Sequence, residues 1–262
     1  MKIAVSGKGG VGKTTVSALL TAGLSMTGHG VIAVDADPDA NLPAALGVDD
    51  PDAIKPLCQM KEMIAERTGI QDAPGGYFKL NPRVDDIPET YARRIGNIHL
   101  LVLGGVSKGG GGCICPATTV LKALLVHLVL GRQEAIVMDM EAGIEHLGRA
   151  TAQSMDALLL VVDEGPWSVQ TALRVRDLAG DIGLKKLFAV ANRISDPGVL
   201  AGIAAKLDGI PLLGHLPYDK DLARSLLETS NGQVRPSPAC ARHLPRIHEM
   251  LRQIADRVQR TT

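Results

Sequence analysis

The sequence predicts one α/β domain spanning all 262 residues (1–262), built on a mostly parallel sheet of about seven to eight strands with helices on both faces. Two observations carry that prediction. Short apolar runs alternate with segments of helical pattern along the whole chain, the order expected of parallel strands joined by crossover helices. Several runs also end in Asp, Asn or Gly, residue types suited to ligand sites at the carboxyl edge of such a sheet.

The first run, Lys2–Ser6, leads into Gly7-Lys8-Gly9-Gly10-Val11-Gly12-Lys13-Thr14-Thr15 and then a helix over Thr15–Ser25. The segment fits the phosphate-cradling template G-x-x-x-x-G-K-[ST], and the strand before it and helix after it are the context that template requires. Backbone N–H groups of Gly9, Gly10, Val11, Gly12, Lys13, Thr14 and Thr15 can then surround phosphate oxygens at a helix start. Lys13 reaches the β- and γ-phosphates, and the Thr14 hydroxyl holds Mg²⁺. A nucleoside triphosphate is the expected ligand.

The second strand, Val31–Asp35, runs into Asp35-Ala36-Asp37-Pro38-Asp39. Carboxylates at this strand end suit a magnesium shell and a group that positions water. Asp39 reads more simply as the cap of a helix beginning near Ala40. Residues 51–96 are the least regular stretch, with a helix over Pro56–Thr68, and read as an insertion over the active edge. A strand over His99–Leu103 precedes Gly109-Gly110-Gly111-Gly112-Cys113-Ile114-Cys115-Pro116 and a helix over Ala117–Leu130. The loop 109–116 is a candidate metal site: its two thiolates meet a helix start that favours the ionised form, and two subunits related by a twofold axis would supply the four sulfurs of a tetrahedral site. The alternative is a redox or incidental pair. Cys58 and Cys240 are isolated and read as packing residues.

Ala135-Ile136-Val137-Met138-Asp139 is an apolar strand ending in a carboxylate, the Walker-B pattern, which assigns Asp139 to the Mg²⁺ shell. Gly143 would let the next segment approach the γ-phosphate, and a helix is expected over Gly143–Met155. Glu141, Glu145 and His146 could relay metal but read better as a salt-bridged helix start. Strands over Ala157–Asp163, Leu187–Asn192 and Leu212–Leu216 alternate with helices over Ser168–Ile182, Pro197–Leu207 and Lys220–Thr229, and a final helix covers Leu244–Arg260.

Composition narrows the function classes. The 28 basic and 28 acidic residues cancel, so no overall field draws nucleic acid or an anionic membrane. No stretch approaches the roughly 18 apolar residues of a membrane span. The chain opens directly into a strand, and four cysteines in this length do not make a disulfide framework, so the cytoplasm is the expected location. The stripe Leu244, Ile247, Leu251, Ile254 and Val258 lacks the Trp or Phe of a lipid anchor and is read as packing on the sheet.

The phosphate loop with its additional Lys8, K-G-G-V-G-K-T, resembles the deviant loop of the MinD/ParA/nitrogenase-iron-protein ATPases. That resemblance implies a homodimer closing around ATP, with Lys8 reaching the partner's nucleotide. It also implies that Asp35 supports Mg²⁺ through water and that Asp37 orients the attacking water. Asn192 and Arg193 in Phe188-Ala189-Val190-Ala191-Asn192-Arg193 resemble the family's base-contacting strand end, and Pro217-Tyr218 the loop flanking adenine. Without the family, Lys8 is a solvated charge and Asn192 a turn residue. The Cys113/Cys115 loop together with Asp139-Met140-Glu141-Ala142-Gly143-Ile144-Glu145-His146-Leu147-Gly148-Arg149 and Phe78-Lys79-Leu80-Asn81-Pro82 resembles the CooC-type ATPases that serve carbon monoxide dehydrogenase and acetyl-CoA synthase. The resemblance implies an ATP-hydrolysing nickel-insertion accessory protein with ATP or ADP, Mg²⁺, and Ni²⁺ or Zn²⁺ as ligands and a nickel enzyme as client. A nitrogenase-like electron donor would draw its cysteines from two separate loops. The alternative kept is a MinD/ParA-like positioning or partitioning ATPase acting on membrane or DNA.

Overall fold

The computed structural model describes residues 1–70, 78–104, 116–132, 134–144, 151–152, 154–224, 226–230 and 233–260. Its strands are β1 (Lys2–Gly7), β2 (Val31–Ala36), β3 (Arg93–Ile95), β4 (Ile98–Val102), β5 (Ala135–Met140), β6 (Ala157–Val162), β7 (Leu187–Ile194), β8 (Leu212–Pro217), β9 (Leu227–Ser230) and β10 (Gln233–Pro236). The first eight form one sheet in the order β3-β4-β2-β5-β1-β6-β7-β8, parallel throughout except for the edge strand β3, and β9 and β10 form a separate hairpin. All seven strands expected from the sequence are present, and the eighth is the short β3.

The helices are α1 (Lys13–Met26), α2 (Leu42–Ala45), α3 (Lys61–Thr68), α4 (Ile87–Tyr91), α5 (Pro116–Gly131), α6 (Pro166–Asp181), α7 (Leu200–Lys206) and α8 (Pro238–Gln259). Alternating strand residues feed two cores. Ile3 and Val5 of β1 join Leu19 and Leu20 of α1 and Ile247 and Ile254 of α8. Ala4 of β1 faces the other way, into a core that includes Leu124 and Leu128 of α5 and Val169 and Ala172 of α6. Burial on both faces explains why the strands read as continuous apolar runs. Leu57, Met63, Ile64 and Ile87 from the irregular region also enter this second core, so that stretch contributes packing.

The stripe on the last helix is internal: Ile247 and Ile254 are fully buried, Leu251 nearly so, and Leu244 and Val258 pack alongside. Gly23 of α1 admits the close approach, since a Cβ there would lie 2.8 Å from Ile247 Cγ2. The helix starts six residues earlier than expected because the Ser237 hydroxyl accepts the Cys240 N–H and caps it. Cys240 lies in this core with its thiol pushed up to about 11 by burial.

Three helix expectations require correction. Lys220–Thr229 is a 3-10 turn over Lys220–Ala223 followed by β9. The Asp219 carboxylate caps the turn through Asp221 N–H, and the chain then anchors by a bond from Leu226 N–H to the Ala45 carbonyl, which pulls it out of helical register. Pro56–Thr68 divides at Met60, whose backbone is non-helical, into a 3-10 turn over Leu57–Gln59 and α3. Pro197–Leu207 likewise opens as a 3-10 turn, Pro197–Val199, capped by Asp196, before α7. The expected helix over Gly143–Met155 lies largely outside the described residues, as do Cys113, Cys115, Glu145 and His146.

Candidate nucleotide site

The carboxyl edge of the sheet gathers the predicted residues around the loop after β1. Gly7 sits so close to β6 that a Cβ would lie 2.5 Å from the Val161 carbonyl oxygen. The loop then exposes Lys8, Gly9 and Gly10, while Val11 turns inward and anchors it in the core. Gly12 has φ +89° and ψ +36°, a left-handed conformation that swings the chain into α1. Lys13, at the first position of α1, is 8% exposed.

Behind the loop stand two buried carboxylates. β2 and β5 are neighbours in register, so Asp35 pairs with Asp139 at the strand ends. Asp35 is fully buried, and its oxygens accept N–H groups of Asp37 at 3.1 Å and Leu42 at 2.9 Å. Burial pushes its pKa up to about 7, against the pull of those two bonds. Asp35 therefore occupies the start of α2 where Asp39 was expected. Asp39 instead donates its own N–H to Asp37 Oδ1 in a local turn, with Ala40 at φ +47°.

Asp139 is 1% exposed, and burial pushes it up to about 6 while the hydroxyls of Thr14 and Ser17 and the charge of Lys13 act in the opposite direction. Ser17 donates to its Oδ1 at 3.0 Å, but Oδ2 is buried with no partner among the described residues. An unpaired buried carboxylate oxygen is costly, and a divalent cation or its bound water would satisfy it. The donor set therefore fits Mg²⁺: Thr14 and Asp139 would supply oxygens, and Asp35, already holding two N–H groups, would act through water.

Asn192 and Arg193 grip the loop from β7. The Asn192 amide is 2% exposed and donates to the Val11 carbonyl at 2.8 Å, and the Arg193 guanidinium donates to the Gly10 carbonyl at 2.6 Å. Together with Thr15, Pro217 and Tyr218 they line a cavity of about 310 Å³ beside the phosphate loop. Tyr218 is 64% exposed, a ring ready for stacking, and its N–H bonds the Ile194 carbonyl. The predicted base-site residues thus meet, although 25 residues separate Asn192 from Pro217 in the chain.

Three contributors were missed by sequence reasoning. Ser17 lies one helical turn after Lys13, a polar residue on a buried face, and that incongruity was its signal. Ser6 ties β1 to the segment after β5: its hydroxyl donates to the Gly143 carbonyl at 2.8 Å and accepts the Gly143 N–H at 3.3 Å. Asp219, also lining the cavity, is held by Arg242 at 2.9 Å and His243 at 3.0 Å, and these bonds lower its pKa to about 2. The last contact joins α8 to the loop after β8, and nothing local announces it.

The CobQ/CobB/MinD/ParA nucleotide binding domain matches residues 2–231. The chain belongs to this nucleotide-binding family. It is accordingly a P-loop ATPase. Among curated family members it is 40% identical over 98% of its length, and 97% of the relative's, to the carbon monoxide dehydrogenase accessory protein CooC of Rhodospirillum rubrum. It is 44% identical, over 86% of this chain and 88% of the relative, to an uncharacterised ATP-binding protein of Methanocaldococcus jannaschii. Solved structures agree on the fold. A plasmid partition protein of Borrelia burgdorferi bound to AMPPNP superposes with TM-score 0.66 over 96% of this chain and 98% of its own at 17% identity, and the Pyrococcus furiosus cell-division ATPase MinD with 0.59 over 97% and 98% at 24%.

Proposed function

We propose that this ATPase is a nickel-insertion accessory protein for the maturation of carbon monoxide dehydrogenase or acetyl-CoA synthase, working in the cytoplasm as a homodimer. The observation that carries the reading is the end-to-end similarity to the Rhodospirillum accessory protein, which leaves no large part of either chain unmatched. The nucleotide edge is consistent with it. In the proposed cycle the loop N–H groups and Lys13 hold the phosphates, and Thr14 with Asp139 holds Mg²⁺, which neutralises charge at the transferring phosphoryl group. Asp37 orients water for attack. Lys8, exposed on the loop, reaches the partner's nucleotide as the subunits close. Closure brings Cys113 and Cys115 of both subunits to one metal, and the transported ion is Ni²⁺, with Zn²⁺ able to occupy the same four sulfurs.

A MinD-like reading gains nothing from the final helix, whose apolar stripe is occupied by the core. No described helix is long and apolar enough to cross a membrane.

The test is activation of nickel-deficient carbon monoxide dehydrogenase or acetyl-CoA synthase by Ni²⁺ with this protein and ATP. Activation should disappear in Lys13→Ala, which loses nucleotide turnover. It should also disappear in Cys113→Ser/Cys115→Ser, which keeps ATP binding and loses about one metal per dimer by metal analysis. Retention of that metal by the double variant would refute the cysteine assignment, and ATP-independent activation would refute the coupling.

A further inference from the structure

A groove of about 820 Å³ lies away from the phosphate loop. It is bounded by Lys185, Lys186 and Leu187 where β7 begins, by Ile210 and Pro211 just before β8, and by the carboxyl-terminal turns of α8. These are the amino ends of the same strands whose carboxyl ends carry Asn192 and Pro217, so the sheet separates the groove from the phosphate loop.

Its charge is lopsided in a chain whose net charge is zero. Six cationic side chains line it: Arg176, Lys185, Lys186, Arg252, Arg257 and Arg260. Its three carboxylates are already engaged, Asp208 by Arg176 at 2.8 Å, and Glu249 and Asp256 by Arg252 at 2.7 and 3.1 Å. Lys185, Lys186 and Arg260 have no carboxylate partner among the described residues. Between the charges runs an apolar floor of Leu187, Phe188, Ile210 and Pro211.

We propose that this groove is a docking site for a short acidic segment of another protein, one that alternates carboxylates with apolar side chains. The unpaired cations would meet the carboxylates, and the floor would cover the apolar groups. Nucleic acid fits less well. The three carboxylates in the wall oppose a continuous phosphate backbone, and the groove's aromatic ring, Phe188, is 5% exposed and offers no platform for stacked bases. The site is independent of nickel chemistry and stands or falls separately from it.

The test measures fluorescence anisotropy of a short labelled Glu/Leu peptide with the full-length ATPase, in parallel with a Lys/Leu peptide and a labelled oligothymidylate. The Glu/Leu peptide should bind, weaken as salt rises, and lose affinity by about tenfold or more in Lys185→Glu/Lys186→Glu. ATP turnover should be unchanged in that variant, which shows that it is folded. The proposal is overturned by no binding up to about 1 mM peptide, by binding indifferent to the charge reversal, or by oligothymidylate binding more tightly than the acidic peptide. Concentration-dependent self-association through the groove, lost with the same reversal, would overturn it too by naming a second copy as the occupant.

Discussion

Alanine substitutions at three glycines of one loop separate backbone strain from steric conflict. At Gly9 an added Cβ meets nothing within 4 Å, and the backbone φ lies outside the left-handed range, so Gly9→Ala should leave stability of the apo protein nearly unchanged. At Gly10 the space is again open but φ is +82°, so Gly10→Ala incurs only the left-handed penalty of roughly 1–2 kcal/mol. At Gly12 φ is +89° and the new Cβ would sit 2.3 Å from Asn192 Nδ2. Asn192 is wedged between this glycine and the Val11 carbonyl it bonds, so the clash resolves by breaking that bond. A buried amide left unpaired adds roughly 1–3 kcal/mol to the strain, for a total of roughly 2–5 kcal/mol. Calorimetry should show ordered melting, with Gly12→Ala lowest, by about 2–4 °C for each kcal/mol in a chain approaching this size. Anisotropy of a fluorescent ATP analogue should show the same variant losing affinity most, because Asn192 also lines the cavity beside the phosphate loop. Equal melting temperatures for Gly10→Ala and Gly12→Ala would refute the claim that Asn192 locks the loop.

Asn192→Ala removes the same bond without strain, so it should destabilise by roughly 1–3 kcal/mol in urea denaturation and reduce discrimination between ATP and GTP; unchanged discrimination would detach Asn192 from the base. Ser17→Ala deprives Oδ1 of buried Asp139 of the Ser17 hydroxyl, which should cost roughly 1–3 kcal/mol at neutral pH and raise the Mg²⁺ concentration needed for turnover, both read from titrations of the variant. Asp219 has its pKa lowered from 3.8 to about 2 by hydrogen bonds from Arg242 and His243, so it contributes stability above about pH 4 that is lost as pH falls through about 2. The gap in urea midpoint between wild type and Asp219→Asn should therefore narrow as pH is lowered from 5 toward 3, and a gap that widened would reverse that sign.

Much of the site was legible because its chemistry is contiguous. A phosphate cradle needs consecutive N–H groups, so the candidate, Gly9 to Thr15, stands within one short stretch, and the strand ends at Asp35 and Asp139 announce themselves by a carboxylate closing an apolar run. Helix boundaries were less legible where a side chain decided them from a distance. Asp35 took the helix start assigned to Asp39 because burial left its oxygens only backbone N–H groups to accept. The expected helix over Lys220–Thr229 gave way to a 3-10 turn and the strand β9, because the Leu226 N–H bonds the distant Ala45 carbonyl.

By itself the sequence determined the α/β class, the phosphate loop and the carboxylates at the sheet edge, because strand period, backbone freedom at glycine and charge are local properties. Only the tertiary structure decided that β5 inserts between β1 and β2, which sets Asp139 opposite Asp35 and within reach of Ser17. It alone brought Asn192 onto the Val11 carbonyl across 181 residues and joined Arg242 to Asp219. Strand order and helix packing are chosen by which apolar faces bury together, and that choice is a property of the whole chain that no single segment encodes.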